Sequence, residues 1–95
     1  MIIRNFSDLS PELIVWEDIA CCVETWPSIE EVQTWLSDKA DVFVEQVGFV
    51  IAEDEKNIVF ADSFMESNEV FGNVHKIPKS VLRKRVKLIE QNETI

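Results

Sequence analysis

The chain has 95 residues, of which 46% are hydrophobic, and it contains three Trp and six Phe but only two Gly and three Pro. This composition supplies a core for one small domain and excludes a collagen-like, low-complexity or disordered chain. The formal net charge of -9 repels duplex nucleic acid at long range and argues against a general DNA- or RNA-coating role.

The first residues, the apolar runs and the cysteines predict the cellular compartment of the protein. No apolar run approaches the roughly 18–20 residues of a membrane span, and residues 1–5 lack the layout of a secretion signal. Cys21 and Cys22 are adjacent, too close for ordinary disulfide geometry, so we predict two reduced thiols, with intermolecular bridging as the alternative. We expect one cytoplasmic domain over residues 1–95, with its core at about 13–88 and flexible ends at 1–10 and 90–95.

Five strands are predicted from apolar and alternating patterns. In chain order they cover residues 13–19, 40–52, 58–61, 70–77 and 82–88. Gly48 is the expected bend point of the long second strand, and Pro78 ends the fourth because proline lacks a ladder donor. In the last strand, one face is expected to carry Leu82, Val86 and Leu88, and the other Arg83, Arg85 and Lys87.

One helix is predicted near residues 28–38, between the first two strands. Ser28 and Glu31 have the spacing of a capping box, in which each side chain bonds the backbone N–H of the other. Apolar residues then recur at helical spacing on one face: Ile29, Val32, Leu36 and Ala40. The fold class is therefore mainly β with one short helix (α+β), and we predict a small five-stranded barrel of Sm-like or Src-homology type with the helix inserted.

Short motifs in a fixed order resemble those of small phage- and prophage-encoded proteins with Sm-type barrels of mostly unassigned role. The motifs are Val15-Trp16-Glu17-Asp18, a second Trp at Trp26, Val47-Gly48-Phe49-Val50-Ile51, Glu53-Asp54-Glu55 and Ile77-Pro78-Lys79. They span about residues 13–88, nearly the whole chain. The resemblance implies a viral accessory protein and supplies no catalytic residue.

The residues give little support to catalysis. There is one His and no Tyr, and the conceivable set of Cys22, His75 and Asp62 joins residues of different predicted elements. A metal site needs three or four suitably spaced ligands, which the sequence does not offer. We therefore expect a protein that is not an enzyme and that has no metal and no cofactor.

Basic residues concentrate at the end of the chain, where residues 73–95 hold six of the nine. One interpretation is an anion pocket, in which arginines act as fork donors to phosphate, lysines act as point charges and a tryptophan stacks on a base. The alternatives are that the charges protect an edge strand or pair with acidic residues of the same or another subunit, and that the tryptophans are core or interface anchors. The candidate ligand-binding residues are Trp16, Trp26, Lys76, Lys79, Arg83 and Arg85.

Together these features predict a non-enzymatic phage accessory protein that forms a homo-oligomer and sequesters a small anionic, nucleotide-like ligand of host antiviral defence. Contact between the acidic body and the basic last strand gives head-to-tail assembly. One alternative is an acidic nucleic-acid mimic or protein-directed inhibitor of a host protein, and another is a structural virion or assembly component. No bulk nucleic acid or membrane partner is expected.

Overall fold

The computed structural model describes residues 1–18, 26–37 and 42–90; the predictions for Cys21, Cys22 and residues 91–95 lie outside these ranges. Within them the chain forms one α-helix and seven strands. In chain order these are β1 (Pro11–Glu17), α1 (Ile29–Ser37), β2 (Phe43–Glu53), β3 (Asn57–Ala61), β4 (Ser63–Met65), β5 (Val70–Gly72), β6 (His75–Pro78) and β7 (Leu82–Lys87). The prediction of a mainly β chain with one short helix is confirmed. No helix in this part of the chain is long and apolar enough to cross a membrane.

Five of the strands form one antiparallel sheet in the order β6-β3-β2-β1-β7. The last strand therefore lies beside the first, and a 3₁₀ turn at Lys79–Val81 leads into it from β6. β6 and β7 each pair with one neighbour and form the two edges of the sheet. The sheet is thus open, and the predicted closed barrel is not confirmed.

The predicted strand 70–77 is divided in two. Asn73 has a φ of 49°, in the left-handed region that asparagine tolerates better than most residues, and it separates β5 from β6. β5 turns back on β4, so a two-stranded hairpin projects between β3 and β6. An apolar run alone did not show this break.

A bulge changes which side chains of β7 share a face. Trp16 pairs with Leu82, whereas Ile14, two residues earlier, pairs with Arg85, three residues further along β7. β7 therefore carries one extra residue, with Arg83 in the irregular stretch. Because opposed residues share a face, Leu82 and Arg85 lie on the same side of the sheet. The predicted separation of these two residues is wrong, since a bulge shifts a period-2 pattern by one.

The core lies on the face of the sheet that carries Ile14. Its buried cluster consists of Ile14, Val50, Ile58, Phe60 and Ile77, with Trp16, Val81 and Leu82 packed against it. Gly48 allows close packing here: a Cβ at this position would lie 2.9 Å from Cε1 of Phe60 and closer still to the carbonyl oxygen of Ala61. The register irregularity of β2 falls between Val50 and Ala52, and not at the bend expected at Gly48.

The N-terminal segment makes specific contacts with the rest of the fold. The backbone N–H of Arg4 donates to the carbonyl of Ile51 at 2.8 Å. Phe6 stacks on Phe71 of the hairpin, with 5.2 Å between ring centroids. The flexibility expected for residues 1–10 stays a prediction, but these contacts connect the segment to β2 and β5.

Candidate functional site

The structure separates the six predicted ligand-binding residues. They lie in three different environments: a cleft, ion pairs within the chain, and the exposed segment just before α1. Trp16 and Lys76 line the cleft, Lys79, Arg83 and Arg85 make ion pairs, and Trp26 is 92% exposed ahead of α1.

The first ion-pair group, the Glu53 cluster, consists of Glu53, Glu12, Arg85, Lys79 and Arg4. Glu53 accepts from Arg85 at 3.0 Å, from Lys79 at 2.7 Å and from Arg4 at 3.0 Å. Nε of Arg85 also donates at 2.8 Å to Glu12, whose side chain is only 3% exposed. The hydrogen bonds from Arg85 and then Lys79 lower the pKa of Glu53 to about 2. The donors of Arg85 and Lys79 are therefore directed at carboxylates of their own chain, one of the alternatives left open by the sequence.

Arg83 has a similar internal partner. Its guanidinium donates to Glu17 at 2.5 Å and to the carbonyl of Ser80 at 2.8 Å. Both charged side chains of the pair are partly exposed, at 44% and 38%. The pair offsets the charge of Glu17, which also lines the cleft described next.

The Trp16 cleft lies between β6 on one side and the end of β1 with Val81 on the other. Its volume is about 390 Å³, within the range of small-molecule sites. The indole N–H of Trp16 donates at 2.7 Å to Gln46 on the neighbouring strand, and this bond orients the ring. The lining residues are Trp16, Glu17, Asp18, Val74, His75, Lys76, Ile77, Pro78 and Val81.

The charged side chains that line the cleft belong to Glu17, Asp18 and Lys76. Lys76 forms no ion pair with any residue in the described part of the chain, although, after hydrogen bonds from two backbone N–H groups, its charge is one cause of the lowered pKa of Asp54. Glu17 is paired with Arg83, and Asp18 adds a second carboxylate. The described lining of the cleft thus combines apolar residues with one lysine and two carboxylates.

The described residues do not bring together the conceivable catalytic set of Cys22, His75 and Asp62. Nucleophilic catalysis needs a base within hydrogen-bonding reach of the nucleophile. The imidazole of His75 makes no hydrogen bond to the residues that the structure describes, Asp62 accepts from Asn73 at 3.1 Å, and Cys22 lies outside the described ranges. Over residues 1–18, 26–37 and 42–90, no three His, Cys, Asp or Glu side chains are grouped to hold a metal.

Helix α1 begins as its sequence predicts. Oγ of Ser28 accepts from the N–H of Glu31 at 3.1 Å, and Oε1 of Glu31 accepts from the N–H of Ser28 at 3.3 Å, so the capping box is confirmed.

The apolar side chains of α1 form a second surface, which the sequence analysis did not identify as a candidate site. None of the nine helical residues is buried; Ile29 is 80% exposed and Leu36 is 65% exposed. We name Ile29, Val32 and Leu36 the α1 apolar face. Its spacing was visible in the sequence, but periodicity does not say whether the covering surface belongs to the same chain.

Comparison of the chain with protein-family models, curated proteins and solved structures finds no match. The resemblance to phage- and prophage-encoded barrels stays a prediction.

Proposed function

We propose that this protein is a non-enzymatic binding protein whose Trp16 cleft takes one small ligand with a planar apolar body and a single negative charge. The observation that supports this most directly is the combination, in a cleft of about 390 Å³, of Trp16 with Lys76, which forms no ion pair with a described residue. The indole and the apolar wall contact the body of the ligand, and the ammonium binds its anionic group.

The charge of the ligand is limited by the surroundings of Lys76. The sequence suggested a phosphate-binding set with two arginines, but Arg83 and Arg85 donate to Glu17, Glu12 and Glu53. Among the described residues that line the cleft, Lys76 is the one lysine or arginine, so a single cationic side chain is placed there to bind an anion. The proposal is therefore narrower than the sequence prediction: a monoanion binds better than a polyanion.

The order of the strands supports the finer interpretation of the fold as a small barrel. A 3₁₀ turn that follows Pro78 precedes the last strand, as expected for Sm-like and Src-homology-type barrels, and the last strand lies beside the first. In this interpretation the Trp16 cleft is the gap at which the barrel stays open. A site at the mouth of a β-barrel is a common place for a ligand.

The proposal is tested with probes that share a planar base and differ in charge: adenosine, 3′,5′-cyclic AMP and ADP. We expect calorimetry on the full chain to give the tightest binding for cyclic AMP, the monoanion. Loss of one charge-assisted hydrogen bond is worth about 1.5–3 kcal/mol, so Lys76→Gln weakens cyclic AMP binding about tenfold or more. Lys84→Gln is the matched control, because Lys84 is exposed on β7 and does not line the cleft.

Native mass spectrometry of untagged protein expressed in bacteria gives an independent measurement, since it reports any retained small molecule. Binding of none of the three probes at about millimolar concentration, with no retained mass, would overturn the proposal. Equal weakening by Lys76→Gln and Lys84→Gln would also contradict it, because binding would then follow net charge and not the cleft. The acidic-inhibitor and virion-component alternatives stay predictions.

A further inference from the structure

The sheet has a second face, opposite the one that packs around Ile14, and apolar side chains lie on it. Side chains alternate between the two faces of a strand, so Leu13 and Val15 of β1 project away from the core. Across the sheet, Leu13 pairs with Val47 of β2 and with Val86 of β7. Val47 is 57% exposed and Val86 is 39% exposed. The open face of an antiparallel sheet is usually polar, and exposed apolar patches mark interaction sites.

The next row across the same three strands carries two opposite charges. Val15 pairs with Glu45 of β2 on one side and with Lys84 of β7 on the other. Glu45 and Lys84 are exposed, and neither forms an ion pair with a residue in the described part of the chain. We name the residues of these two rows the outer face: Leu13, Val15, Glu45, Val47, Lys84 and Val86.

The order of these residues is self-complementary about one two-fold axis. When a second copy is laid face to face about an axis along β1, β1 lies against the partner's β1 and β2 lies against the partner's β7. Glu45 then faces the partner's Lys84, and Lys84 faces the partner's Glu45. Val47 likewise faces the partner's Val86. Opposite charges therefore meet, and apolar residues meet apolar residues.

The same charges disfavour the other symmetric arrangement of two faces. An axis across the strands places β2 against the partner's β2 and β7 against the partner's β7. At the Val15 row, this axis sets Glu45 against the partner's Glu45 and Lys84 against the partner's Lys84. Shifted toward the Leu13 row, it sets both charges against apolar residues. Like charges that face each other repel, and a charge against an apolar surface loses its hydration, so both placements cost free energy.

We infer that two copies of this chain form a symmetric dimer through their outer faces, with Glu45 of each copy paired to the partner's Lys84. A second copy is the occupant because the outer face supplies both members of every contact in the order that the axis requires. This contact is closed, whereas the sequence suggested head-to-tail assembly. Trp16 projects to the opposite side of β1, so each copy keeps its cleft and the inference does not rest on the proposed function.

The size of the outer face sets the expected affinity. The seven residues of β1 extend about 24 Å, and three strands span about 14 Å, which gives a flat area of about 340 Å² per copy. A standard interface buries about 800 Å² per partner. We therefore expect a weak dimer, with a Kd in the micromolar to millimolar range.

Analytical ultracentrifugation of the full chain measures the association, at low ionic strength because salt screens exposed ion pairs. Glu45→Lys and Lys84→Glu each set like charges against each other twice in the dimer, and each is expected to weaken association about tenfold or more. The double variant Glu45→Lys/Lys84→Glu restores opposite charges and is expected to associate like the wild type. A double variant that associates as weakly as the single variants would overturn the inference.

Mixing the two single variants tests whether the charges meet between copies. Glu45→Lys and Lys84→Glu, each weak alone, are expected to form a heterodimer, because both of its ion pairs then join opposite charges. Failure of the mixture to associate more tightly than either variant contradicts the inference. Single variants that associate as well as the wild type contradict it too, since they indicate the axis across the strands.

The apolar row and the other possible occupants are tested with uncharged positions. Val47→Asp places a carboxylate among the apolar residues and is expected to leave the protein monomeric. Val70→Asp is the matched control, since Val70 is a 49% exposed strand valine on the β4–β5 hairpin, and it is expected to associate like the wild type. The helix variant Ile29→Asp/Leu36→Asp is also expected to associate like the wild type. Circular dichroism checks that each variant keeps its fold.

Two results of these measurements identify a different occupant or none. Loss of association in the helix variant indicates that α1 covers the outer face. A wild type that stays monomeric up to about 1 mM indicates that no second copy binds there. Either result overturns the inference and leaves the proposed function, which depends on the cleft, untouched.

Discussion

Replacing Arg85 by methionine should destabilise the protein far more than replacing Arg83, although both arginines lie on β7 and both make ion pairs. Arg85 donates to Glu12 and Glu53, and the Glu12 side chain is 3% exposed. Glu53 keeps Arg4 and Lys79 in the variant, but Glu12 would remain a buried carboxylate without its cation. Arg83, by contrast, pairs with a Glu17 side chain that is 38% exposed.

The magnitudes follow from these burial values. Removing one partner of a buried ion pair costs about 3–5 kcal/mol. Arg85 is 28% exposed and Glu53 is 24% exposed, so water screens part of the loss and we expect about 3 kcal/mol for Arg85→Met. Arg83→Met breaks an exposed pair and should cost about 0–1 kcal/mol. Urea unfolding followed by circular dichroism measures both changes in the free energy of unfolding.

The double variant Arg85→Met/Glu12→Gln tests the cause. Neutralising Glu12 removes the buried charge that Arg85 leaves behind, so the double variant should be more stable than Arg85→Met alone by about 1–2 kcal/mol. The reasoning is refuted if Arg85→Met and Arg83→Met cost the same. It is also refuted if the losses of Arg85→Met and Glu12→Gln simply add, because the two groups would then not depend on each other.

Two further predictions concern the sheet and its pH dependence. Gly48→Ala should lower the free energy of unfolding by about 2–3 kcal/mol, because the added Cβ would meet the backbone carbonyl of Ala61 and the ring of Phe60. Gly72→Ala is its control: the nearest atom there is the rotatable Oγ of Ser63 at 2.5 Å, so the loss should stay below about 1 kcal/mol, and equal losses would contradict the packing argument. The folded-state pKa of Glu53 is about 2, against an ordinary value of 4.5. Its contribution to stability is therefore fully present above about pH 5.5 and is lost as the pH falls toward 2, so the Glu53→Gln variant should lose less stability than the wild type between about pH 6 and pH 3 in urea unfolding. If the free energy of unfolding falls as steeply with decreasing pH in that variant as in the wild type, other carboxylates are responsible for the loss.

The elements that depend on residues close together in the chain could be predicted from the sequence. The helix begins at a capping box formed by residues three positions apart, and the five strands of the main sheet fall within segments of apolar or alternating residues. The hairpin between β3 and β6 was not predicted, because its turn at Glu69 and the break after it at Asn73 both involve a residue with a left-handed φ. The presence of a residue that tolerates a left-handed φ does not predict that the residue adopts this conformation.

The candidate site was predicted less well, and for a different reason. Trp16 and Lys76 were both named from the sequence, and they share one cleft although they lie on different strands. The roles expected for Arg83 and Arg85 assumed free donors, and their partners Glu17 and Glu12 are more than 60 residues away in the chain. Ion pairs across such distances depend on strand order and register, including the bulge in β7, which period-2 patterns do not reveal.

The positions along β1 separate stability from binding. Glu12 lies near its start, in the Glu53 cluster, whereas Trp16 lies near its end, in the cleft. Four residues of extended strand separate them by about 13 Å, beyond the reach of a direct contact between the two groups. Basic residues that pair at the Glu12 end therefore stabilise the sheet, and Lys76, which forms no ion pair with a described residue, lies at the other end. It follows that Arg85→Met should reduce the free energy of unfolding while leaving cyclic AMP affinity unchanged in the folded fraction. Lys76→Gln should weaken cyclic AMP binding while leaving the free energy of unfolding unchanged.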